Sequence, residues 1–269
     1  MNNHSAVTKK IRAALLLAIF CSMAISNLFA QSKFAAEPLK DSRQLLLVTT
    51  ADWHQVSGVL RCFERKNVKA SWREVGSKIE IVVGRNGIAW GRGLHPATTS
   101  EPQKKEGDGK SPAGIFKLSS AFGFAPASEM KRLKLPYLQL TDAIECVDDV
   151  PSKRYNSIVD RNQISGVDWK SSEKMLAIGE QYRLGIVVDH NVSPRISGQG
   201  SCIFVHIWKG DGSGTSGCTA TEKPAMEKLL SWLDAKAKPV LVQLPEAEFR
   251  RLQTDWQLPK IKLNSATPR

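Results

Sequence analysis

Residues 200–221 read G-S-C-I-F-V-H-I-W-K-G-D-G-S-G-T-S-G-C-T-A-T, placing a thiol, an imidazole and several hydroxyls in one short stretch. A thiol becomes a nucleophile when it ionises, and a neighbouring imidazole can take its proton. Cys218 and His206 are therefore the candidate nucleophile and base. If Cys202 to Trp208 forms a strand, alternation puts Cys202, Phe204, His206 and Trp208 on one face and Ile203, Val205 and Ile207 on the other. Gly210, Gly212, Gly214 and Gly217 let the following connection turn tightly. Cys218 then stands just ahead of an expected helix, whose N-terminus, together with an imidazole, would lower a thiol's pKa from ~8.5 toward 7 or below. The N–H groups of Gly217 and Cys218, in the turn that begins at Ser216, could point at one spot as an oxyanion hole requires.

Each of these residues also has a structural alternative. Cys218 could be half of a disulfide or a small buried apolar group, and His206 a core ring with both nitrogens satisfied. His54, His95 and His190 are rival bases. Cysteine counting narrows the options. Without Cys21, which lies in the apolar leader described below, Cys62, Cys146, Cys202 and Cys218 remain. If one of them works as a thiol, at most one bridge can form among the other three. None makes a C-x-x-C pair, which argues against a zinc ribbon or a thioredoxin-like site.

The elements that must position these groups follow from periodicity. Gln44 to Thr49 suits a buried strand, whereas Trp53, Val56, Val59, Leu60 and Phe63 are at helical spacing and predict a helix from Asp52 to Arg65. Lys78 to Val83 and Gly87 to Trp90 read as strands joined by an Asn-Gly turn. Gly91 to Ser111 is a long loop, Ile115 to Leu118 and Tyr137 to Leu140 are strands, and the polar run from Glu145 to Asp168 reads mostly as loop. Leu184 to Val188 and Cys202 to Trp208 are the clearest later strands. Thr221 is the expected N-cap of a helix through Lys236, with Met226, Leu229, Leu230 and Leu233 as its buried stripe. Pro239 to Leu244 closes as a strand. Residues 246–269 form a polar tail, expected as a peripheral helix or loose end. Many short strands and two helices predict one mainly β domain over residues 41–245.

The first 30 residues have a different composition. Lys9, Lys10 and Arg12 precede an uncharged apolar run from Ala13 to Ile25, and Asn27-Leu28-Phe29-Ala30 ends it with a small residue. That is the layout of a secretory signal peptide, and the run is shorter than the ~20 residues of a spanning helix. Residues 1–30 are thus expected to be removed, leaving an exported protein of the periplasm or cell envelope with no membrane span. Loss of Lys9, Lys10 and Arg12 takes the formal charge from +12 to about +9. The basic residues are scattered and carry no nucleic-acid motif, so an anionic envelope polymer is the more natural partner than nucleic acid.

Other motifs fail on inspection. Gly109-Lys110-Ser111 lacks the first glycine of a phosphate loop, with Lys104 in its place, and Pro112 follows. Gly91-Arg92-Gly93 has Pro96 where a dinucleotide fingerprint needs glycine, and the loop around Asp211 lacks the acidic residues of a calcium hand. His190, His206 and a cysteine have no zinc-ligand spacing. No metal and no cofactor are expected.

Three stretches, taken in order, carry a family resemblance. Gly84-Arg85-Asn86-Gly87-Ile88-Ala89-Trp90-Gly91 is the first. Lys105 to Phe116 reads K-E-G-D-G-K-S-P-A-G-I-F, and Thr215-Ser216-Gly217-Cys218 follows a strand that ends near His206. Together they resemble the L,D-transpeptidase catalytic domain, with its K-x-G-D-G-x-[T/S]-P-x-G-x-F loop and its histidine, glycine-containing loop and [S/T]-x-G-C. Two departures mark a divergent branch. Ala220 stands where many members have arginine, and the interval from His206 to Cys218 is shorter than the commonest form.

The resemblance implies a β-sandwich-like domain with a few helices, in which Cys218 and His206 meet in a groove. It implies a peptidoglycan stem peptide as acyl donor, a Cys218 thioester, His206 oriented by a backbone carbonyl, and oxyanion donors near Ser216, Gly217 and Cys218. Thr215 fills the motif, and Trp208 and Asn191 are expected to line the groove. A carbapenem-type β-lactam would acylate the same thiol, and a monomer is expected. A thioester hydrolase (an L,D-carboxypeptidase or wall amidase) and a non-catalytic wall-binding protein with its cysteines paired are the alternatives.

Overall fold

The computed structural model describes residues 38–263, so the expected signal peptide lies outside the described residues. β1 (Gln44–Thr50) is buried along its whole length, because Leu45, Leu46, Leu47 and Val48 give it no polar face. It runs antiparallel to β2 (Ser57–Glu64) and parallel to β13 (Val240–Pro245). Beyond these lie β3 (Arg73–Val82), β4 (Ile88–Trp90), β5 (Ser111–Gly123), β6 (Tyr137–Gln139), β10 (Leu184–Val188), β11 (Phe204–Ile207) and β12 (Thr219–Thr221).

Hydrogen-bonded neighbours run β10, β11, β12, β3, β2, β1, β13, β5, and β10 also pairs with β5, so the main sheet closes on itself. Closure removes the open edges that an isolated sheet would present. The mainly β fold is therefore as expected, with a barrel-like closure of the sheet. The alternation read from the sequence holds at β11. Ile203, Val205 and Ile207 join the main core with Leu46, Leu60 and Ile115. Cys202 and Phe204 join a second cluster with Phe122, Tyr182 and Cys218.

Three expected elements differ. Asp52 to Arg65 contains no helix, since residues 57–64 are β2. A bulge between Leu60 and Cys62 breaks the strand period and brings Leu60, Cys62 and Phe63 all into the core, which imitates helical spacing. The polar run from Glu145 to Asp168 is mostly loop, as expected, but it also holds strand residues that the sequence did not suggest. β7 (Ile144–Val147) pairs with β8 (Ser157–Asp160) and with β9 (Ser172–Lys174) in a separate small sheet. Its hydrophobic signal is masked by Glu145, which is fully buried and bound by Arg161, Ser172 and Lys174. Burial pushes that carboxyl up, but the hydrogen bonds from Lys174, Ser172 and Arg161 more than reverse this and hold it at about 2.

The later helix, α1 (Lys223–Trp232), begins after the expected cap and ends before Lys236. Thr221 belongs to β12, and its hydroxyl donates to the Glu80 carbonyl instead of capping α1. The expected stripe of Met226, Leu229, Leu230 and Leu233 is buried. In the tail, α2 (Glu246–Leu252) contributes Phe249 and Leu252 to the core, and Trp256 packs against Trp90 and His95. Cys146 on β7 is bridged to Cys202, tying the small sheet to the chain just ahead of β11.

Candidate active site

The three motif stretches converge on the backbone of Cys218. Thr215 N–H donates to the Val83 carbonyl (2.9 Å), and Arg85 N–H donates back to the Thr215 carbonyl (2.8 Å). The Ser111 hydroxyl accepts from Gly84 N–H (2.8 Å) and donates to the Cys218 carbonyl (2.7 Å). The Thr215 hydroxyl donates to that same carbonyl at 2.5 Å. Such close approach needs glycine at residue 84, where a Cβ would lie 2.3 Å from the Gly109 carbonyl oxygen. Asp108 shapes the middle loop, taking Lys105 N–H, Lys110 N–H and the buried Lys104 ammonium.

Cys218 enters β12, which lies parallel to β11 with Val205 opposite Thr219 and His206 opposite Ala220. His206 is thus a diagonal neighbour of Cys218 on the same face, a separation that a side-chain ring can reach across. His206 Nδ1 lies 2.8 Å from the Ile207 carbonyl. A carbonyl only accepts, so Nδ1 carries the hydrogen and Nε2 keeps its lone pair. Ile207 is the orienting carbonyl that the sequence could not specify. Both residues line a groove of about 510 Å³, together with Thr215, Ser216, Gly217 and Trp208.

The expected thiol activation differs from what the structure holds. Cys218 precedes a strand, and α1 starts only at Lys223, so no helix terminus acts on the sulfur. Burial, aided by the charge of Glu173, pushes the Cys218 thiol up to about 12, and burial lowers His206 to about 4. The resting pair is a neutral thiol beside a neutral imidazole. The Cys218 sulfur accepts from Phe204 N–H (3.3 Å) and donates to the Cys202 carbonyl (3.5 Å). Among the described residues no hydrogen bond joins it to His206.

The remaining expected residues divide. The Ser216 hydroxyl accepts from Arg85 (3.2 Å). Gly217 N–H is already engaged by the Thr215 hydroxyl (3.1 Å), which removes it as a free oxyanion donor. Asn191 does not line this groove. It has a positive φ, and its amide is consumed by the Ile196 backbone and the Gly200 carbonyl in its own loop. Of the rival histidines, His54 is exposed. His190 spends both ring nitrogens on Arg92 N–H and the Gln199 carbonyl. His95 is buried against Phe116 and Trp256, with Nδ1 taking Ile115 N–H. Cys62 and Cys218 are both free, so the full pairing of cysteines expected for the wall-binding alternative does not occur.

Three further residues line the groove, and two of them, Tyr182 and Glu173, gave no sequence signal. Tyr182 packs its ring against Phe204 and His206, with centroids 5.6 and 5.2 Å away. Glu173 accepts from the Tyr182 hydroxyl at 2.7 Å, and Arg85 brings a guanidinium to the rim. Tyr182 and Glu173 belong to a segment whose spacing matches no motif, and they meet Cys218 only through the fold.

The model of the L,D-transpeptidase catalytic domain (YkuD) matches residues 55–242. Comparison with curated proteins and with solved structures gives no match. The matched span runs from just before β2 into β13 and takes in the converging loops, Cys218 and His206. Since it covers more than half of the chain, the protein belongs to the L,D-transpeptidase catalytic-domain family.

Proposed function

We propose that this protein is a peptidoglycan L,D-transpeptidase working in the cell envelope through a Cys218 thioester. The observation that carries the reading is the meeting of Cys218 and His206 in one groove of a family catalytic domain. Rotation about the Cys218 side chain turns its S–H from the Cys202 carbonyl toward His206 Nε2. A thiol held at about 12 and an imidazole at about 4 do not form a resting ion pair, so the proton moves to Nε2 as sulfur attacks the donor carbonyl. Cys218 and Ser216 N–H groups stabilise the oxyanion, Gly217 N–H being engaged elsewhere. Collapse breaks the amide, and the leaving D-alanine amine takes the proton from His206. An acceptor amine then attacks the thioester, giving its proton to His206 and returning Cys218 to the thiol. Arg85 at the rim offers a cation for the donor carboxylate, a role that buried Ala220 cannot fill.

Mature enzyme incubated with a stem tetrapeptide is expected to release D-alanine and to show an acyl adduct on the Cys218 peptide by mass. Cys218→Ser should abolish both, because a hydroxyl is far less ionised than a thiol. A carbapenem adduct at Cys218 is expected as well. Products joined to an added amine support transpeptidation, whereas free tripeptide alone makes the enzyme an L,D-carboxypeptidase. Absence of any Cys218 adduct with donor and drug overturns the catalytic reading.

A further inference from the structure

Tyr182 sits at the end of a short 3-10 segment, Met175–Tyr182, and touches the parts of the site that would have to act together. Its ring lies 5.2 Å from His206, and its hydroxyl donates to Glu173 at 2.7 Å. The same hydroxyl reaches the Cys218 thiol, where it favours the thiolate. Glu173 stands on β9 directly opposite Cys146 of β7. Cys146 is bridged to Cys202, whose carbonyl receives the Cys218 S–H. The strand that carries Glu173 is therefore paired with a strand that is itself bridged covalently to the backbone receiving the thiol.

We propose that Tyr182 and Glu173 form a relay to Cys218, in which the protonation of Glu173 decides whether the Tyr182 hydroxyl donates to Glu173 or to the Cys218 sulfur. A phenol has one hydrogen to give. When Glu173 is ionised it takes that hydrogen, and its charge opposes a thiolate. When Glu173 is protonated it can donate to the phenol oxygen, freeing the Tyr182 hydrogen for sulfur. Glu173 is thus a positioning residue that acts through Tyr182. The inference rests on Cys218 being the working thiol.

The surrounding charges fit this division. Burial raises Glu173 to about 7, with Asp148 and Glu106 adding like charge and the Tyr182 hydrogen bond opposing them. Lys104 acts in the thiolate's favour, while Arg85, Lys209 and neutral His206 line the same groove. Lys104 is itself engaged by Asp108, and Glu106 by Tyr155 and Ser201. Glu173 and Cys218 then titrate as a coupled pair, the loss of one proton making loss of the other harder.

The test is the pH dependence of Cys218 alkylation by iodoacetamide, read by mass on the Cys218 peptide of the full mature enzyme. The wild-type rate should rise with pH, flatten into a shoulder near 7 as Glu173 ionises, and rise again. Glu173→Gln, whose amide can donate to the phenol, should abolish the shoulder and speed alkylation by about tenfold at pH values above the shoulder, where wild-type Glu173 is ionised, the scale of one hydrogen bond to a charged group. Tyr182→Phe should slow it, and Glu173→Gln should have a much smaller effect in that background. A wild-type profile without a shoulder overturns the relay without reliance on any variant's folding. An equal effect of Glu173→Gln with and without the Tyr182 hydroxyl also overturns it. Donor acylation of the wild-type enzyme is measured in parallel. Acylation without a shoulder removes the relay and leaves the proposed function. A shoulder without acylation removes the proposed function and leaves the relay.

Discussion

At the scale of single residues, burial sets the chemistry of the site. His206 packs against Tyr182, and its nitrogen toward Ile207 is fixed, so charging the ring means placing a cation in a nearly dry wall. Burial therefore lowers His206 from the usual 6.5 to about 4. The sign follows directly: the ring is the free base above about 4 and loses that role only as pH falls through this value. The acid limb of kcat/KM is expected near pH 4, with donor turnover still high at pH 5. A limb centred near 6.5 would show that a solvated histidine is the base. Cys218 and His206 were legible because they lie in one local motif and alternate correctly along β11. Tyr182 and Glu173 were not, since a tyrosine and a glutamate in a polar segment carry no spacing signal. Asn191 misleads because an amide looks alike in sequence whether it meets a ligand or, as here, its own loop.

Elements were legible where one period dominates. β1, β10 and β13 are nearly continuous apolar runs, and each was found close to its true position. β2 reads as a helix in sequence because its bulge shifts the buried face by one residue, and β7 gives no strand signal because a charged residue occupies its core position. Both errors come from tertiary partners that override a local pattern. The same dependence makes the junction of the three loops testable. Gly84→Ala places a Cβ 2.3 Å from the Gly109 carbonyl oxygen, and that contact is backbone, which cannot swing aside. The substitution should cost about 1–3 kcal/mol, as overpacking commonly does, measured as a lowered denaturation midpoint. It should also reduce D-alanine release, because the Gly84 N–H to Ser111 link supports the Cys218 carbonyl. Unchanged stability and turnover would show that the loops need no such close approach.

At the scale of the molecule, the sheet is closed by its two most distant strands. Leu45 of β1 lies beside Val240 of β13, and β13 is also the neighbour of β5, so one late strand completes both. A mainly β domain was legible from the number of short strands, but this closure was not, because strand order depends on which faces meet and not on any one segment. A chain ending at Lys238 lacks β13, leaving β1 and β5 without their shared neighbour. It is expected to show no cooperative unfolding transition and to aggregate, and a cooperative, soluble product would contradict this. The pairing also has a consequence in time. Contacts between chain ends carry a large loop-closure cost and are made slowly. A chain that emerges from its N-terminus holds β1 beside β2 alone until almost everything else has followed. The converging loops around Cys218 hang on that same sheet, so a chain made past Cys218 but short of β13 has the cysteine but no completed groove. Whatever chemistry depends on that groove therefore waits for β13, and the order of the strands acts as the timer.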